Sequence, residues 1–230
     1  MPETVQPGTL YLVATPIGNL DDITYRAVKI LNGVNLIAAE DTRKTKFLLD
    51  HYNIQKELVS YFAFNEAKRT PELVNKLKEG QSIAIVSDAG TPGISDPAYR
   101  LVKAAIKENI NIIPIPGASA FISALVASGL PTESFVFEGF LPHKKGRKTK
   151  LEMLSEETRT IILYESPHRI LKTLIELQNS FGDRYIVVAR ELTKIFEEFF
   201  RGSTSEAVAH FSSKSIKGEF VLVISGKSLK

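Results

Sequence analysis

The 230-residue sequence contains no cysteine and only four scattered histidines. Without thiols neither a disulfide framework nor a thiolate metal site is possible, and so few imidazoles argue against zinc, so no metal is expected. Long apolar runs are missing too; none approaches the roughly 20 residues of a membrane span. The opening stretch MPETVQPGTLYLV lacks the basic start and extended apolar core of a secretory signal. These absences predict a soluble, cytoplasmic chain with no membrane partner. Two phosphate signatures are also absent. No G-x-x-x-x-G-K-[ST] occurs, which excludes a P-loop, and no G-x-G-x-x-G follows the first apolar run, which weakens an NAD-type assignment. There is no internal repeat and no low-complexity tract.

What is present suits a globular chain with a sizeable core and one or two domains: 43% of residues are hydrophobic and 24% charged. The formal net charge is +3, and all of the excess lies beyond residue 130. The stretch HKKGRKTK (143–150) holds five of those cations and no anion. It is either a solvated loop or an arm that contacts phosphates, since Lys and Arg gain affinity by releasing counterions from a nucleic-acid backbone.

Strand and helix signals alternate. The runs TLYLVA (9–14), VNLIAA (34–39), LVSYF (58–62), SIAIVS (82–87) and INIIPI (110–115) are continuously apolar, as expected of strands covered on both faces in a parallel sheet. Between them, DDITYRAVKIL reads as a helix capped by Asp21 or Asp22, and TPELVNKLKEG as one capped by Thr70 with Pro71 in its first turn. A second set begins near SGLPTE (128–133). Its strands fall at 134–140, 159–164, 183–190, 194–202 and 219–225, and its helices near 147–156, 167–180 and 204–212, the last opened by Ser203 and Glu206 at capping-box spacing. Two strands in succession around 184–202 indicate an antiparallel hairpin. The expected fold is α/β, in two α/β domains of unlike topology, residues 1–128 and 129–230.

Four loops at the carboxyl ends of predicted strands are richer in Gly, Pro and polar residues than turning requires: ATPIGNLDD (14–22), AEDTRKT (39–45), SDAGTPGISDP (87–97) and PGASA (116–120). Ligands of open α/β sheets sit outside these ends. Gly90 and Gly93 allow backbone to approach a ligand closely while the prolines hold the loop's shape. Ser119 is either a ligand contact or a helix N-cap.

Together, GTLYLVATPIGNLDDIT, AEDTR, SDAGTPGISDP, PGASA, GFLP, YESPHR and RELTK, in that order and spanning nearly the whole chain, resemble the tetrapyrrole methylase superfamily, and within it the branch that modifies ribosomal RNA. The resemblance implies two α/β domains with S-adenosylmethionine in the cleft between them, no metal, and usually a homodimer. It implies 2'-O-methylation of a cytidine ribose in the decoding region of 16S RNA, in the free RNA or the small ribosomal subunit. Carried over by motif, the donor-binding positions are Ile17, Thr91, Ile94, Ser119 and Ala120, with Leu141 and Tyr164 from the second domain; Asp88 and Gly90 join them because they lie at the same loop mouth. Relatives usually have Gly where Ala98 stands, and histidines where Phe62 and Phe64 stand, so a histidine role at those positions does not transfer.

A ribose hydroxyl is a weak nucleophile, so a base or a cation beside the forming alkoxide assists its methylation. Asp88, Glu165, His168, Arg190, Glu191 and Lys194 are candidates, with Asp88 and Lys194 singled out as catalytic. RNA contacts are expected from Arg43 and Lys44, from Lys144, Lys145, Arg147 and Lys148, and from Arg169. Arg43 has an alternative reading as the ion-pair partner of Glu40 or Asp41. Two other functions stay open: a small-molecule, tetrapyrrole-type methyltransferase, and a non-catalytic RNA-binding module.

Overall fold

The computed structural model describes residues 5–213 and 216–227. The chain divides into two compact units, Met1–Ser119 and Ala120–Lys230, each with its own five-stranded sheet.

In the first unit the strands are β1 (Thr9–Val13), β2 (Leu36–Ala39), β3 (Glu57–Ser60), β4 (Ile83–Val86) and β5 (Asn111–Ile115), in the order β3-β2-β4-β1-β5 and all parallel. Helices α1 (Tyr25–Gly33) and α2 (Thr42–His51) cover one face, with Ala27, Ile30, Leu31 and Leu49 against Tyr11, Val13 and Ile37. On the other face α3 (Glu66–Lys78) and α4 (Tyr99–Lys107) pack Leu73, Val74, Leu77, Leu101 and Ala105 against Leu10, Leu36 and Ile85. Leu10 and Tyr11 thus enter opposite cores, as the two-residue period of a strand requires. Strands β2 and β4 are buried throughout because helices cover both faces, which is why their sequences read as unbroken apolar runs. Truncating a side chain such as Leu77 to Ala would cost about 2–5 kcal/mol.

Two helix starts differ from the sequence reading. The cap of α1 is Thr24, whose Oγ1 accepts from Ala27 N–H at 3.1 Å; Asp21 and Asp22 belong to a preceding 3-10 turn capped by Asn19. Helix α3 begins at Glu66, not Thr70, and carries Pro71 in its interior. The Thr70 hydroxyl donates to the Glu66 carbonyl at 2.6 Å, and Asn65 anchors the start by donating to Ser60 O and accepting from Phe62 N–H. Pro71 therefore deletes only the bond to the carbonyl of Ala67, a residue exposed to water.

Connections from β1 and β2 run toward one edge of the sheet, and those from β3 and β4 toward the other. The loops leaving the adjacent strands β1 and β4 diverge, which makes their carboxyl ends a topological switch point.

The second unit opens with α5 (Ala120–Val126), which packs on β7 and β10, with Phe121 stacked on Phe137 at 4.5 Å between centroids. Its sheet runs β6 (Phe135–Phe140), β7 (Thr160–Glu165), β10 (Phe220–Ile224), β8 (Tyr185–Arg190), β9 (Glu198–Ser203). Only β6 and β7 are parallel; β8 and β9 form the expected hairpin. Helices α6 (Arg147–Ser155), α7 (Ile170–Phe181) and α8 (Thr204–Ser212) complete the core, α8 behind the capping box of Ser203 and Glu206. Among the described residues no buried side-chain polar atom lacks a hydrogen-bond partner.

Candidate active site

Three loops of the first unit are stitched together by backbone. Thr15 and Gly90 exchange N–H···O bonds in both directions, at 2.9 and 3.0 Å, and Ala14 N–H donates to Ile115 O. The Thr15 hydroxyl donates to Ser87 O at 3.3 Å and the Thr91 hydroxyl to Ala118 O at 3.2 Å. Gly117 has no room for a side chain, since a Cβ there would lie 2.9 Å from that of Ala14. Gly90 has φ +82°, and its missing Cβ would face Ile17 at 3.4 Å and Ala118 O at 3.7 Å. Ile17 is buried beneath this rim, while Thr91, Ile94 and Ser119 are half-buried along it. Ala120, also half-buried, is the first residue of α5.

The fourth loop joins through carboxylates. Asp88 Oδ1 accepts from Asp41 N–H at 2.9 Å, Asp88 Oδ2 pairs with Lys44 at 2.7 Å, and Asp88 N–H donates to Glu40 at 3.2 Å. Asp88 therefore braces the ends of β2 and β4 against each other. Asp41 caps α2 and holds Arg43 through two side-chain bonds of 3.0 and 2.7 Å, so the ion-pair reading of Arg43 describes the free protein. The Arg43 hydrogen bonds keep the Asp41 carboxyl well below the usual range. Asp96, not among the sequence candidates, is pushed up to about 6, first by burial and then by the charge of Glu40; Ser87 offsets part of this, and Asp88 adds to it. A second acid in the loop that follows β4 was the available signal. These acids do not form a metal-ligand group among the described residues.

In the second unit Leu141 is buried, and Tyr164 sits between the rings of Phe137 and Phe140, at 5.0 and 5.6 Å. Lys144, Lys145 and Lys148 are exposed on and after the β6–α6 loop. Arg147 is not a surface cation: it is 6% exposed, because the first turn of α6 directs it inward onto Glu176 and Thr173. Arg169 also faces mostly inward, paired with Glu165 and donating to Leu141 O at 2.8 Å. Lys194 is held by Glu191 at 2.8 Å and Glu219 at 2.9 Å. Burial alone would lower its pKa, but those two carboxylates raise it above the ordinary lysine value, so it is a fixed cation rather than a base. A separate cavity of about 590 Å³ in this unit, lined by Ser155, Asp183, Arg184 and Tyr185, shares no residue with these groups.

A parallel sheet with glycine-rich loops at its switch point is followed in this chain by a mixed five-stranded sheet. Residues 9–208 match the family described as Tetrapyrrole (Corrin/Porphyrin) Methylases, and the chain belongs to that family. More particularly, it is 58% identical over 221 residues to Ribosomal RNA small subunit methyltransferase I of Synechocystis sp., covering 95% of this chain and 79% of that one. It is 51% identical to the Thermotoga maritima protein of the same name, covering 96% of this chain and 99% of that one. Among solved structures, diphthine synthase superposes with a TM-score of 0.76 at 14% identity, covering 96% of this chain and 91% of that one. Cobalt precorrin-4 methyltransferase, a cobalamin biosynthetic enzyme, gives a TM-score of 0.67 at 17% identity, covering 95% of each chain. Likeness at that level concerns the fold alone.

Proposed function

We propose that this chain transfers a methyl group from S-adenosylmethionine to small-subunit ribosomal RNA, at the 2'-hydroxyl of a cytidine in the decoding region of 16S RNA. The observation that carries this reading is 58% identity across nearly the whole chain to a protein named for that RNA subunit. The small-molecule alternative has weaker support, since the cobalamin and uroporphyrin enzymes share only the fold, at 15–18% identity. A non-catalytic RNA module gives no reason for the packed glycine loops.

The residues of the first unit fit the donor. Gly90, left-handed at φ +82°, keeps the loop backbone bare at the rim beside Ile17, which offers an apolar surface, and Glu40, Asp88 and Asp96 favour a cationic group nearby. When bound, the donor supplies an electrophilic methyl on a sulfonium. On this reading Ile17, Asp88, Gly90, Thr91, Ile94, Ser119 and Ala120 hold it; Leu141 and Tyr164 are proposed as further contacts from the motif resemblance. The ribose oxygen forms its bond to the methyl carbon as the carbon–sulfur bond breaks, and the hydroxyl proton must leave. Asp88, oriented by Asp41 N–H and Lys44, is the proposed acceptor, and Lys194 the proposed cation near the developing alkoxide. Lys144, Lys145 and Lys148 take RNA phosphates, as do Arg43 after exchanging Asp41 for phosphate and Lys44 through a second N–H while it keeps Asp88. The working protein is proposed to be a cytoplasmic homodimer acting on 16S RNA or the small subunit.

Mass spectrometry of ribosomal RNA from a deletion strain tests this. One cytidine ribose should lose its methyl group and regain it on complementation. An unchanged methylation pattern would overturn the proposal.

A further inference from the structure

The β6–α6 loop is gripped by a closed ring of polar side chains. Arg169 Nη2 donates to Leu141 O at 2.8 Å, and Arg147 Nη1 to the next carbonyl, Pro142 O, at 3.1 Å. Behind the loop, Arg169 pairs with Glu165, which is 2% exposed; Glu165 Oε2 accepts from the Thr173 hydroxyl at 2.6 Å, and that hydroxyl accepts from Arg147 Nη2 at 2.7 Å. Glu176 neutralises Arg147 at 2.6 Å, and Ser166 N–H donates to the second oxygen of Glu165. Two successive loop carbonyls are thus joined through two arginines, one buried carboxylate and one fully buried hydroxyl.

This arrangement opposes local preference twice. Arg147 is the first residue of α6 and Arg169 is the N-cap of α7, both at the positive end of a helix dipole, where a cation is disfavoured. Buried ion pairs, moreover, are often no more stabilising than apolar residues of the same volume. A network that conflicts with its own helices and that packing could replace points to a positional duty. Its output is the segment 141–146, which carries the proposed donor contact Leu141 at one end and Lys144 and Lys145 at the other.

We propose that Arg147, Arg169, Glu165 and Thr173 form a positioning device that presents donor contact and RNA contact as one rigid unit. The assignment rests on the methyltransferase reading only for what the loop touches. None of the four is a catalytic residue here.

Thr173→Val in the full chain cuts the ring while keeping volume and every charge. Amide hydrogen exchange at Lys144–Arg147 should accelerate roughly tenfold to a hundredfold, the effect of losing hydrogen bonds to charged groups, with β7 and β10 unchanged. Thr173→Ser should restore protection. With small subunits as substrate, KM should rise more than kcat falls. If Thr173→Val does not fold, Arg147→Lys, which keeps the charge but has one nitrogen in place of the three that reach Glu176, Pro142 and Thr173, serves for the same measurement. Unchanged loop exchange, or acceleration spread evenly over the unit, would overturn the device. Faster loop exchange in a protein that methylates no RNA would uphold the device and refute the functional reading instead.

Discussion

Gly90 stands between Ile17 and the carbonyl of Ala118 with a left-handed backbone, so the smallest side chain tests the proposed donor site. Gly90→Ala should cost roughly 1–2 kcal/mol of stability and weaken S-adenosylmethionine binding at least about tenfold, read by calorimetry on folded protein. Unchanged affinity would remove this loop from the site. Asp96 makes a separate prediction. Its carboxyl titrates in the folded protein near 6, above the ordinary 3.8, so the folded state holds the proton more tightly than the unfolded one. Stability from this group is therefore complete below about pH 4 and is lost as pH rises through 6. Asp96→Asn should stabilise the protein at pH 8 by about 1 kcal/mol, a value discounted for partial exposure, and by less at pH 5; equal gains in urea unfolding at both would refute it. Gly90 was legible from sequence because conformational freedom is a property of the residue itself. The shift of Asp96 was not, because Glu40 acts on it from another strand.

At the scale of elements, the apolar runs reveal β2 and β4 because burial on both faces leaves no polar position to break them. The start of helix α3 is hidden because Pro71 resembles a first-turn proline, and only the Thr70 hydroxyl and Asn65 explain how the helix begins earlier. The basic arm is legible as a charge run, but Arg147 reads as part of it, since its partner Glu176 lies in the next helix. The arm that the fold leaves exposed is Lys144, Lys145 and Lys148. Replacing these three with Ala should weaken RNA binding and flatten its salt dependence, by about 0.7–0.9 in slope for every phosphate no longer neutralised. Donor affinity should stay unaltered. An unchanged slope would leave the arm a solvated loop. The variant must retain Arg147, whose removal would disturb the loop from within.

For the whole molecule, the α/β class and the mixed second half can be read from the alternation of elements. The strand order β3-β2-β4-β1-β5 cannot, because nothing local to β1 says that β4 and β5 will flank it. Nor does a charge pattern reveal an oligomer. Phe64 and Ile195 are each 95% exposed and Phe196 74%, apolar side chains that a subunit contact would cover. Light scattering at micromolar concentration should give twice the 25.5 kDa chain mass. A fully active monomer would refute the homodimer.

The position of β1 also fixes the order in which this chain matures. It precedes both its neighbours in the chain, paired as Leu10 with Ile83 and Thr9 with Asn111, and they arrive only after most of the unit has been made. Until then the strand carries two open edges, each able to pair wrongly or with another chain. Closing such distant pairings is slow. The loops that follow β1 and β4 meet only when this assembly occurs, so a half-made first unit lacks the proposed donor site.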